Sequence, residues 1–204
     1  DGAVLGERIV DLPAKVGVLG DRGHVDGRRA RGQRRGHAER RRDLGVEQVA
    51  EHGAAFGYKT VNTDVLAWVV ARVTGMPYNG ALSELIWSKM GAEQNAYFSA
   101  DVTGTPFAGG GMSASLRDMG RFGLLLLNDG VINGARVFPA SAAHSIAGGG
   151  DPAKFEPAGY TTIPGGSYRS MFWVFHNENE AYAARGVHGQ TVYVDPAADM
   201  ALVR

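Results

Sequence analysis

Three blocks hold the residues best suited to chemistry: Tyr58-Lys-Thr-Val-Asn-Thr-Asp-Val-Leu-Ala-Trp68, Phe107-Ala-Gly-Gly-Gly-Met-Ser-Ala-Ser-Leu-Arg-Asp-Met-Gly-Arg-Phe122 and Gly186-Val-His-Gly-Gln190. Tyr58 offers a phenol just ahead of a helical pattern. A free phenol, with a pKa near 10, is a poor base at neutral pH and needs a nearby ammonium to favour its anion. Lys59 follows it directly, but adjacent side chains on an extended segment point to opposite faces, so Lys59 is a poor partner. His188 stands between two glycines in a block that opens a strand, where its ring could line a cleft or hydrogen-bond within a turn.

Other chemistries fail on inspection. None of the four lysines follows a glycine, so there is no phosphate-cradling P-loop. No histidine precedes a glutamate, and the six histidines are scattered, so no metal site is expected. The nearest approach to a Gly-x-Ser-x-Gly elbow, Gly111-Met-Ser113-Ala-Ser115, fails at its last position. The glycine triplets at 109–111 and 148–150 read as loop punctuation rather than anion nests. Zero cysteines remove disulfides, thiolate zinc and a thiol nucleophile. No cofactor is expected.

The elements that would position these blocks follow from periodicity. Asn62 or Thr63 is expected to cap a helix carrying Val65, Leu66, Val69, Val70 and Val73 on one apolar face, with Trp68 alongside, stopped by Gly75 and Pro77. A second helix is expected to place Ala81, Leu82, Leu85, Ile86 and Met90 on one face and to end at Gly91. Trp68 and Trp87 are both expected in the core. A third starts at Ser115, where Asp118 three residues on suggests reciprocal capping, with Met119, Phe122, Leu126 and Leu127 inward and Gly130 as the stop. The period then changes. Met171-Phe-Trp-Val-Phe175 and Thr191-Val-Tyr-Val194 read as strands, and Asp195–Asp199 turns the chain so that Met200–Val203 returns antiparallel.

Composition divides the chain near residue 56. All eight Phe, seven Tyr and three Trp lie at or after Phe56. The first 55 residues hold 10 of the 17 arginines, eight of them between Arg28 and Arg42, where Glu39 is the sole acid and the local charge is +7. Such a block repels itself and resists compaction, so residues 1–55 are expected to be an irregular arm, disordered or non-native, and 56–204 the folded domain. The alternative is a basic module using Arg28–Arg42 on nucleic acid or an acidic surface. It is disfavoured, because no aromatic is present to stack on bases. Arg-Gly-Ala-Val-rich text without aromatics is also what a GC-rich gene yields when read out of frame. Asp1 to Val10 lack a signal pattern and no apolar run nears the roughly 18 residues of a membrane span, which favours a cytoplasmic protein without membrane partners.

In order and spacing, the three blocks resemble the serine β-lactamase and penicillin-binding-protein superfamily over about residues 56–204. They are most similar to its 6-aminohexanoate-dimer (nylon-oligomer) hydrolase and class C-like carboxylesterase branch. The resemblance implies an α/β protein of the α+β type: helices followed by an antiparallel sheet, a partial β-lactamase-like transpeptidase fold. It implies a serine hydrolase acting on a small linear amide or ester through an acyl-enzyme. By the same resemblance Tyr58 is the proton relay, Val187 N–H an oxyanion donor, and His188, Gly189 and Gln190 line the opposite wall, with Trp173 a further candidate wall. The family's activating lysine belongs to a Ser-x-x-Lys pair. Three residues before Lys15, Lys59, Lys89 and Lys154 stand Leu12, Phe56, Ile86 and Asp151, so this chain has no such pair and is expected to be silent alone. Thr60, where many β-lactamase-type relatives have asparagine, favours the amide/ester branch. The oligomeric state stays open, a homodimer included.

Overall fold

The structure, a computed structural model, describes the backbone of residues 16–19 and all of residues 51–204. The arginine block therefore lies outside the described residues. Of the expected arm, the described parts are strand β1 (Val16–Leu19) and a turn in which Ala54 N–H donates to Glu51 O. Residues 51–55 fall in a separate unit, Asp21–Ala55, from the body that contains β1 and everything after Phe56.

The first helix, α1, spans Val61–Thr74 and ends on Gly75 at φ 69°, the left-handed turn that glycine adopts without strain. Its N-cap is Thr60 and no side chain caps it, so the expected cap at Asn62 or Thr63 is not formed. Its large apolar residues also face the other way from expectation. Val65, Leu66, Val69, Val70 and Val73 are exposed and Trp68 is 59% exposed, while the small Ala67 is the buried residue. The second expected helix is split: α2 (Tyr78–Leu82) passes into a π-helical turn, Ser83–Trp87, which rotates the phase and buries Trp87 to 2% exposure. Trp87 Nε1 donates to Gln94 O at 2.9 Å.

Strand β2 (Ala96–Ser99) pairs in parallel with β1 and antiparallel with β3 (Met112–Ser113). Helix α3 (Leu116–Leu127) begins at Ser115, whose Oγ accepts Asp118 N–H at 3.1 Å. The reciprocal half of the cap differs from expectation. The fully buried Asp118 carboxylate accepts Glu93 N–H (2.8 Å), Gln94 N–H (3.0 Å) and Ser115 O–H (2.7 Å), and pairs with Arg121. It thus ties α3 to the loop before β2 instead of closing its own helix. A small hairpin, β4 (Val131–Ile132) and β5 (Ala135–Arg136), turns on Asn133-Gly134, both at positive φ as a two-residue hairpin requires. Helices α4 (Ala140–Ala147) and α5 (Pro152–Phe155) follow.

The rest is an antiparallel meander: β6 (Ser167–Arg169), β7 (Phe172–Val174), β8 (Tyr182–Arg185), β9 (Thr191–Asp195) and β10 (Met200–Val203), ordered β10-β9-β8-β7-β6. Helix α3 lies on β9 and β10, where Gly123 allows close approach because a Cβ there would sit 3.1 Å from that of Ala201. Leu126, Phe172, Val174, Tyr182 and Val194 form the core between helix and sheet. Among the described residues no helix is long and apolar enough to cross a membrane.

Candidate active site

A cleft of about 620 Å³ opens at one end of the meander, walled by the start of α1, the glycine loop before β3, the first turn of α3 and the β6–β7 and β8–β9 hairpins. Tyr58, three residues ahead of α1, reaches it with 48% of its surface exposed. Its ring stacks on Trp173 (centroids 5.9 Å, interplanar 12°) and meets Tyr168 edge-on (5.8 Å, 76°). Trp173 is itself fixed by Phe56, Phe155 and Tyr160, so the floor beneath Tyr58 is a rigid aromatic cluster. The segment leading to Tyr58 is held by Phe56 N–H donating to Lys154 O at 2.8 Å.

The glycine loop forms the wall beside α1. Gly109 N–H donates to Asp64 Oδ1 at 3.0 Å, tying the loop to the helix. A Cβ at Gly109 would run into Thr60, and one at Gly111 into Ser99 Oγ and the Phe107 carbonyl. Steric closeness therefore requires these two glycines.

The third block opens β9, as expected, and does so as the turn of the β8–β9 hairpin. Gly186 N–H donates to Gln190 O at 2.7 Å, Gly189 N–H to Gly186 O at 3.2 Å, and Gln190 Oε1 accepts His188 N–H at 3.1 Å. Gly186 and Gln190 line the cleft. Val187, His188 and Gly189 form the exposed tip and do not; Val187 is 94% exposed, and among the described residues no acceptor meets its N–H. The fold thus brings Tyr58, Trp173 and Gln190 together and sets the other three site candidates at the rim.

Two cleft residues escaped the sequence reading. Tyr168 lies one strand over from Trp173, its cross-strand partner. Burial, then the neighbouring Tyr58 and a hydrogen bond to it, and then Tyr160 push the Tyr168 phenol up to about 12, so it stays protonated. Met171 closes the β6–β7 hairpin with Ser170, both at positive φ (50° and 69°), where an Asn-Gly pair would be the usual signal. Its Sδ accepts Thr63 Oγ1–H at 3.5 Å and Tyr168 O–H at 3.8 Å. The charged side chains lining the cleft, among the described residues, are Arg185 and Arg204. No three His, Asp or Glu side chains converge as a metal site among them.

The β-lactamase family pattern matches residues 20–204. The chain belongs to the β-lactamase family. It is 40% identical over 150 residues to a 6-aminohexanoate-dimer hydrolase of Paenarthrobacter ureafaciens, a match covering 73% of this chain and 38% of that protein. A solved structure from Bacillus anthracis, assigned as a 6-aminohexanoate-dimer hydrolase, superposes with a TM-score of 0.69 at 37% identity over 77% of this chain and 39% of that one. A Bacteroides dorei protein assigned as a β-lactamase superposes at 0.60 with 16% identity, over 82% and 56% of the two chains, a likeness of fold alone. The expected mixture of helices and antiparallel sheet is thus the β-lactamase-like fold. The chain spans about two-fifths of the length of the 6-aminohexanoate-dimer hydrolases it matches.

Proposed function

We propose that this β-lactamase-family chain carries the tyrosine and the β8–β9 hairpin part of a serine hydrolase site that cleaves a linear amide or ester through an acyl-enzyme. In that reaction a serine oxygen attacks the carbonyl, the Tyr58 oxygen takes the serine proton and passes it to the leaving amine or alcohol, and Val187 N–H stabilises the oxyanion. Trp173 and Gln190 form the substrate wall, with His188 and Gly189 at its rim. The observation that carries this reading is the Tyr58 ring, stacked flat on Trp173 at 5.9 Å with its edge open to the cleft, in a chain 40% identical to a 6-aminohexanoate-dimer hydrolase. With no Ser-x-x-Lys pair, this polypeptide binds without turning over.

Titration with linear 6-aminohexanoate dimer tests binding. A saturable change in tryptophan fluorescence is expected, retained in Trp68→Phe and lost in Trp173→Phe; no change in any of them overturns the site. A nitrophenyl ester and a fluorophosphonate probe test silence. Neither a burst of chromophore nor labelling is expected, and a burst abolished by the probe would refute that part.

A further inference from the structure

Residues 56–204 contain seven arginines, and most are engaged by their neighbours. Arg117 and Arg121 pair with carboxylates, Arg136 and Arg169 donate to neutral oxygens, and Arg72 lies over Trp68. Arg185 and Arg204 have no such partner among the described residues, and both line the cleft. The register sets them side by side. Arg185 on β8 stands opposite Thr191 on β9, and Arg204, just past β10, exchanges both main-chain hydrogen bonds with Thr191, at 3.0 and 2.9 Å. Residues directly opposite across a sheet project to the same face, with Cβ atoms about 5 Å apart, so Arg185, Thr191 and Arg204 make one row. Trp173 is on that face too, because its partner Ala183 lies two residues before Arg185 on β8. The opposite face, with Val192 and Ala201, is the one that meets Gly123 of α3. Thr191 Oγ1–H donates back to Gly189 O at 3.3 Å, so the row offers guanidinium donors to the cleft. No Asp or Glu among the described residues lines it.

We propose that Arg185 and Arg204 bind the terminal carboxylate of the substrate, which makes the substrate class linear amides and esters with a free acid group at one end. This rests on reading the cleft as a hydrolase site. Two neighbouring guanidinium groups without an acid repel each other, and an anion between them removes that repulsion while taking up paired N–H donors. The linear 6-aminohexanoate dimer has a carboxylate at one end and an ammonium at the other, and the row selects the carboxylate end. Arg185 and Trp173 are diagonal neighbours, about 7–8 Å apart, so the rest of the molecule extends from the row towards Trp173 and the Tyr58 ring stacked on it. The ammonium end meets no carboxylate among the described residues of the cleft.

Isothermal titration of the full chain tests this with four ligands: the linear dimer, the same dimer with its acid amidated, hexanoate and inorganic phosphate. Amidation is expected to weaken binding about tenfold. Arg185→Gln and Arg204→Gln should each weaken the dimer by about threefold to tenfold, a range kept low because both side chains are exposed, and leave the amidated dimer unchanged. Neither arginine has a partner to lose among the described residues, and circular dichroism checks that both variants fold. Equal affinity for the dimer and its amide overturns the proposal, as do variants that weaken both ligands alike. Phosphate bound as tightly as hexanoate, with the same sensitivity to the two variants, would make the row a general anion site and overturn the substrate assignment. The two failures are distinguishable. If the dimer and its amide bind equally, the row fails and the hydrolase site stands; if neither binds but hexanoate does and is weakened by Arg185→Gln, the row stands and the reading of the Tyr58 side fails.

Discussion

Helices α1 and α3 both carry apolar residues at helical spacing, far more sharply segregated to one face in α3, and they have opposite fates. In α3 the stripe is buried: Leu125 and Leu126 are at 0% and 2% exposure, and the helix is pinned at its start by Ser115 and Asp118. In α1 the stripe faces outward, and Thr63, Ala67 and Ala71, small residues, turn towards the body. Periodicity tells which residues share a helix face. It does not tell which face the rest of the molecule covers. That is decided by close approach, and the 12 residues of α3 reach β9 and β10 because Gly123 lets them.

The comparison is broken most strongly at Asp118. Its carboxylate satisfies two main-chain amides, a hydroxyl and a guanidinium at no exposure, so Asp118→Ala leaves all of them uncompensated and should cost about 3–5 kcal/mol. Leu125→Ala, a cavity in the core, should cost about 2–5 kcal/mol. Val69→Ala, the corresponding truncation on α1, should stay within about 0.5 kcal/mol. Urea titration of the three variants measures the contrast, and equal losses at Leu125 and Val69 would erase the distinction.

That contrast also explains what was legible beforehand. The start of α3, the Asp195–Asp199 turn, and β9 with β10 were readable because each rests on a local signal: a Ser cap, a turn cluster, alternating β-branched residues. The exposed Trp68 was not, because its fate depends on residues distant in sequence. Tyr58 and Gln190 were singled out by the family resemblance of the blocks that hold them and Trp173 as a further candidate wall, and the fold brings all three to one cleft. Tyr168 and Met171 were missed because their signal is a pair of positive-φ residues at Ser170-Met171, where neither residue type advertises a turn. The position of the Gly186–Gln190 block just ahead of a strand was legible, because glycines flank it and β-branched residues follow; that Val187–Gly189 form an exposed tip was not, because it depends on the pairing of β8 with β9.

An alkaline titration sharpens the comparison from the α3 side. Tyr182, in the core cluster with Leu126, has its phenol pushed up to about 12, first by burial and then by Asp129. The neutral form is the one the fold keeps. Below about pH 10 both states are protonated and the contribution is complete. Between about 10 and about 12 the unfolded chain ionises while the folded one does not, so stability falls by about 1.4 kcal/mol per pH unit. Tyr182→Phe should flatten the stability profile above pH 10, followed by denaturant midpoints at pH 9, 10 and 11; an unchanged slope would contradict it. A smaller effect separates the two helix starts. Ser115→Ala removes a cap worth about 1 kcal/mol, whereas Thr60→Ala, at a position with no side-chain cap bond, should leave stability near the parent value.

The smallest expected change in stability falls on α1's outward stripe. Val73 is 81% exposed, so Val73→Lys removes almost no burial and should shift the unfolding free energy by less than about 0.5 kcal/mol. The Arg72 guanidinium lies 4.9 Å from the Trp68 ring, and Arg72→Ala should likewise cost about 0.5–1 kcal/mol at most. What the lysine should change is the surface itself: a contiguous apolar face attracts dyes and other apolar faces, so dye binding and concentration-dependent association should both fall in Val69→Lys/Val73→Lys. A loss of more than about 2 kcal/mol in that double variant would mean that the stripe is covered in solution. The two helices would then differ in what covers them and not in whether they are covered.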